Sequence, residues 1–140
     1  MKKTFASTLC LLLTFCLAGC ASIVSKSNWP VTVQTNPTGA KCLISKASGA
    51  SLQTGETPLT VTLSSSEGYF SKASYLVKCD KEGYLPAEAH LDARVNGWWY
   101  FGGNLIFGGL IGWFIVDPAT GAMWRLDETL TVNLLAAPAK

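Results

Sequence analysis

Residues 97–116 read GWWYFGGNLIFGGLIGWFIV, twenty positions without a charge and with Asn104 as the one clearly polar side chain. A run this apolar has to be covered, and few arrangements can cover it. As one helix it spans about 30 Å, enough to cross the hydrocarbon core of a bilayer. Asn104, Gly108 and Gly112 recur at i, i+4 and i+8, a stripe of small residues on which another backbone packs closely. These three are the candidate contacts to a membrane or a partner helix. Trp98, Trp99, Tyr100 and Trp113 lie near the ends, where aromatic rings favour the membrane interface. The flanking charges, Arg94 on one side and Asp117 and Arg125 on the other, give little orientation. Crossing would also part residues 129–135 from the preceding domain, although Leu130, Val132 and Leu134 alternate as a sheet strand does. The competing reading is a glycine-rich hairpin turning at Gly102-Gly103 and burying its aromatics. Asp117-Pro118 then breaks the run, with Asp suited to an N-cap and Pro to the first helical position.

The amino terminus has a different apolar run. Met1-Lys2-Lys3 precedes an uncharged stretch to Cys16 and then Leu17-Ala18-Gly19-Cys20. A basic start, an apolar centre and a small-residue cleavage site make the plan of an export signal. A cysteine directly after Leu-Ala-Gly resembles the lipobox of bacterial lipoproteins. That resemblance implies cleavage before Cys20, diacylation of its sulfur (palmitate being a typical acyl group) and acylation of its new amine. Membrane lipid would then be the first partner. A plain signal peptide with an incidental cysteine is the competing reading. Residues 21–28 read as a short tether, spanning about 15–17 Å as a flexible coil. Ala21 stands where an inner-membrane lipoprotein tends to carry Asp, so the resemblance implies the outer membrane, on its periplasmic side. The pattern of Asn104, Gly108-Gly109, Gly112, Asp117 and residues 120–123 is similar to the tails of small Gram-negative lipoproteins.

Removing residues 1–19 leaves 121 residues, enough for one small domain with a real core. It also removes Lys2 and Lys3, so nine basic residues face nine acidic ones. Nucleic acid is therefore not an expected partner.

After the tether the pattern is that of strands. Val31, Val33 and Thr35 alternate with Thr32 and Gln34, and Asn36-Pro37-Thr38-Gly39 is turn chemistry. A second strand is predicted at residues 41–46, followed by a Gly/Ser-rich loop at 48–56. A third follows at 59–63, a loop at 64–68, and a fourth strand at 73–79. No helical period appears before residue 85. Pro37-Thr38-Gly39-Ala40, then residues 57–63 (TPLTVTL), then Lys81-Glu82-Gly83-Tyr84-Leu85-Pro86 resemble a PEGA domain. Thr38 stands in place of that family's acidic residue, and its Asp-Gly hairpin turn after Ile44 is absent. The resemblance covers about residues 31–86 and implies a compact, non-catalytic β module on exported or membrane-anchored proteins.

Of five cysteines, two fall in the signal and Cys20 is assigned to lipid, which leaves Cys42 and Cys79. Both sit on the more buried face of their predicted strands, and in an exported protein such a pair oxidises. Buried free thiols are the alternative. Glu88, His90 and Asp92 share a strand face, which reads as the solvated side of an edge strand rather than a metal or acid–base cluster. No phosphate-cradling loop or nucleophile elbow is present, so neither an enzyme nor a cofactor is expected.

The expected architecture is mainly β: a small antiparallel β-sandwich, PEGA-like, with an apolar glycine-rich helical segment inserted before its last strand. The expected divisions are signal 1–19, lipidated tether 20–28, β domain 29–92, apolar segment and turn 93–126, and final strand and tail 127–140. The expected role is that of a membrane-anchored structural or interaction module of the cell envelope, with an envelope protein or a second copy as partner. The rival role is a cell-wall glycan-binding module in which exposed members of Tyr69, Tyr75 and Tyr84 stack on sugar faces.

Overall fold

The computed structural model describes residues 26–138, so Cys20 and the signal lie outside the described residues. The chain is mainly β. It runs β1 (Asn28–Asn36), β2 (Lys41–Lys46), β3 (Ser51–Glu56), β4 (Leu59–Ser64), β5 (Ser66–Gly68), β6 (Ser71–Lys72), β7 (Ser74–Asp80), β8 (Ala87–Asp92) and β9 (Arg94–Val95). A helical segment follows over residues 98–120, and then β10 (Trp124–Arg125) and β11 (Thr129–Asn133).

Seven of these strands form two sheets around one core. The first sheet has the order β3-β2-β7-β8, antiparallel throughout. It turns Cys42, Ile44, Tyr75, Val77, Cys79 and Leu91 inward. The second has the order β11-β1-β4 and contributes Val31, Val33, Val61, Leu63 and Val132. These residues pack as a single buried cluster, so two inner faces make one hydrophobic interior. The Tyr75 hydroxyl crosses between the sheets to donate to Ser64 O at 2.7 Å.

Three details differ from the sequence expectation. Residues 51–56 form β3 rather than a loop; the strand rests on backbone pairing with β2 along an edge and exposes Leu52, leaving no alternation to read. Within the expected loop at 64–68, β5 begins a short hairpin with β6. The last strand joins β1 in parallel, while the first half of β1 pairs antiparallel with β4.

The three PEGA-resembling motifs meet at one end of the sandwich. Gly39 N donates to Thr57 O, Thr57 N to Ala40 O, and Ala40 N to the buried Thr57 hydroxyl. The Lys81 ammonium closes over the turn, donating to Thr38 O at 2.8 Å and Gly39 O at 3.1 Å. Each of these bonds satisfies a backbone group that a tight turn leaves without a ladder partner.

Cys42 and Cys79 are directly opposite on β2 and β7 and form a disulfide, with Cα atoms 4.1 Å apart. Residues directly opposite on neighbouring antiparallel strands lie close enough for their side chains to meet. Closing a loop of this length stabilises by about 4 kcal/mol in the chain-entropy model. The expected result of reduction is a lower melting temperature, with two alkylatable thiols appearing at Cys42 and Cys79 only after reduction, read by mass spectrometry.

Burial pushes the Tyr75 phenol above its ordinary value, and the Glu67 carboxylate adds to the shift, against the bond to Ser64. A raised value in the fold means a contribution present in full below the ordinary tyrosine value of about 10. That contribution is lost as pH rises through the raised value. Tyr75→Phe should cost about 1 kcal/mol at neutral pH and remove this part of the alkaline loss, read from melts between neutral and strongly alkaline pH.

Candidate functional site

The helical segment is a hairpin standing on one end of the sandwich. Its stem is the β9–β10 pair, with Trp124 opposite Val95 and Arg125 opposite Arg94. Asn96 N donates to Met123 O, Ala122 and Met123 are buried, and Arg94 bonds Asp127 across the stem at 2.9 Å. The first arm is Trp98–Gly108, wound in wide π-type turns; the second runs over residues 109–120. Among the described residues no helix is long and apolar enough to cross a membrane. A single helix over residues 97–116 is therefore not what forms: the chain reverses at Gly109 (φ +48°, ψ −145°), a conformation closed to residues with a Cβ. Nor does it turn at Gly102-Gly103, which lie inside the first arm beneath the rings of Trp98 and Trp99.

The reversal brings Asn104 and Gly112 face to face. A Cβ on Gly112 would lie 2.0 Å from Asn104 Oδ1, so the arms touch where only hydrogen fits. Asn104 is buried; its Nδ2 donates to Tyr100 O at 3.0 Å and makes a short bond to the Asp117 carboxylate. The two arms of one hairpin thus approach each other closely at Asn104 and Gly112. Gly108 is the last residue of the first arm. Asp117 has helical backbone angles in a helix that continues through it, so it caps nothing and serves as the acceptor for Asn104.

Tyr100 and Trp113 form a second tie. Trp113 Nε1 donates to Tyr100 O at 2.6 Å, and the Tyr100 hydroxyl donates back to Trp113 O at 3.2 Å. Two side-chain donors, Asn104 Nδ2 and Trp113 Nε1, thus share Tyr100 O. Polar groups therefore close on one another inside the hairpin.

The outside is apolar. Trp98 is 78 % exposed, Leu105 74 %, Ile106 73 % and Leu110 69 %, with Phe101, Ile111, Phe114 and Ile115 also exposed. Tyr69 and Phe70, at the tip of the β5–β6 hairpin, extend the surface; the Tyr69 hydroxyl donates to Phe114 O at 2.6 Å. Large apolar side chains exposed in this number along one hairpin differ from the singly scattered ones of an ordinary surface.

The chain reaches the same end. Ser65 is fully buried, and its N–H and hydroxyl both donate to Ser27 O, while the hydroxyl also reaches Gly121 O at the foot of the second arm. The first described residues thus lie against the root of the apolar hairpin.

The other candidates are placed elsewhere. Glu88, His90 and Asp92 lie exposed on β8, the edge of the first sheet; Glu88 pairs with Lys78 at 2.7 Å, and the Ser74 hydroxyl holds the Asp92 carboxyl below its ordinary value. Among the described residues no three His, Cys, Asp or Glu side chains form a group that could hold a metal ion. The three tyrosines do not assemble into a platform. Tyr75 is in the core, Tyr69 lies before β7 and Tyr84 beyond its far end, where Tyr84 bridges to Ala136. Comparison with family models, curated proteins and solved structures finds no match to the chain.

Gly112→Ala should force the Asn104 side chain to give up its two bonds, at a cost of about 1–3 kcal/mol to the hairpin. The expected outcome is faster protease cleavage within residues 97–120 and a red-shifted tryptophan emission, with the Cys42–Cys79 disulfide intact.

Proposed function

We propose that this chain is a lipid-anchored, non-catalytic module of the bacterial cell envelope, acylated at Cys20 and held on the periplasmic face of an outer membrane. The PEGA-like sandwich is its body, residues 21–26 its tether (Ser27 and Asn28 already join the sandwich), and the apolar hairpin its contact surface. One observation carries the reading: Ser27, seven residues after Cys20, is bonded through Ser65 to the root of the hairpin. If the stretch from Cys20 to Ser27 behaves as a flexible coil, it spans about 13–16 Å root mean square, so an anchor at Cys20 would keep the apolar surface beside the bilayer. The lipobox and the hairpin lie far apart in sequence, and the bonds that join Ser27 through Ser65 to Gly121 support reading them together. Its action is physical, presenting an apolar contact and a β surface at the membrane.

Palmitate labelling tests the anchor. The chain should take up labelled palmitate in a Gram-negative host, fractionate with outer membrane, and lose the label in Cys20→Ser with the uncleaved precursor accumulating. Label that persists in Cys20→Ser overturns the assignment of the anchor.

A further inference from the structure

We infer that the helical hairpin is a membrane wedge: its tip enters the hydrocarbon of one leaflet, the same leaflet that acyl chains on Cys20 would occupy. The inference deepens the lipoprotein reading, and the occupant it commits to is the bilayer itself.

Four features point to lipid. The first is backbone satisfaction. Irregular helix persists in hydrocarbon only where its polar groups are met internally, and here Tyr100 and Trp113 serve each other's carbonyls while Asn104 spends its amide inside the hairpin. The second is the gradient along the arms. On the first arm Trp98 and Trp99 lie at the root, whereas Leu105 and Ile106 lie toward the reversal at Gly109, with Leu110 just past it. Indole rings prefer the headgroup level and aliphatic chains the interior.

The third is length. An arm of 11 residues would be about 16 Å long at the α-helical rise and is shorter in the wide turns taken here, so it reaches no further than about the middle of a hydrocarbon core of about 30 Å. The wedge enters and returns without crossing. The fourth is position. The stem sits against Ser27, and the tether from Cys20 is too short to hold the hairpin far from the surface.

The test uses the full chain purified from its membrane and reconstituted in vesicles of phosphatidylethanolamine and phosphatidylglycerol. Ile106→Cys and Leu110→Cys place an environment-sensitive fluorophore near the tip, and Glu82→Cys places it in the exposed turn at the other end of the sandwich. The expected result is blue-shifted emission at 106 and 110, quenched several-fold more by a doxyl group deep in the acyl chain than by aqueous iodide. At 82 the order should reverse. Leu110→Asp, read from the 106 reporter, should weaken the deep quenching while leaving the Cys42–Cys79 disulfide and the far-ultraviolet circular dichroism unchanged.

Iodide quenching at 106 equal to that at 82 overturns the inference. So does a 106 reporter shielded from both iodide and lipid, which would mean that a protein or a second copy covers the tip. Because the readout is at the tip, it separates from the anchor. Deep quenching in a chain that takes up no palmitate would leave the wedge standing and remove the lipid on Cys20.

Discussion

The buried oxygen of Ser65 joins three parts of the molecule that the chain order keeps apart. Its position between β4 and β5 would suit a solvated turn, yet it is fully buried, and its polar atoms are bonded to the start of the chain and to the foot of the apolar hairpin. Its carbonyl accepts from Ala73 N, which ties in the approach to β7. A buried hydroxyl left without partners costs roughly 1–3 kcal/mol, so Ser27 and Gly121 are held where they are by the penalty for leaving. The geometry at this end of the sandwich, and with it the relation between tether and hairpin, follows from that one residue.

Most of the β framework could be read from the chain. Val31-Thr32-Val33-Gln34-Thr35 and Leu59-Thr60-Val61-Thr62-Leu63 alternate cleanly because one face of each is buried and the other is not. The strand at 51–56 could not be read that way. Its residues, Ser-Leu-Gln-Thr-Gly-Glu, have no apolar face because an edge strand held by backbone bonds does not need one. Cys42 and Cys79 were legible as a pair through burial, and their exact opposition follows once β2 and β7 are neighbours.

The hairpin was legible in composition and opaque in geometry. Asn104 and Gly112 fall on one stripe only if the helix runs straight through residue 109. Glycine at that position permits the reversal, and the reversal turns a stripe along one helix into a contact between two. The partnership of Tyr100 with Trp113, thirteen residues apart, has no periodic signature at all. Asp117 preceding Pro118 looked like a cap because local rules assume that a helix begins there; the helix arrives already formed, and the carboxylate answers Asn104 instead.

The placement of β1 at the centre of its sheet has a mechanical consequence. Its first half is bonded to β4 and its second half to β11. Tension between Ser27 and the Lys81 turn at the opposite end runs along this strand and loads both ladders in shear. Bonds strained together resist far better than bonds unzipped one after another from an edge. A body tugged at its first residue, with its far end held, therefore grips the load with a strand paired on both sides.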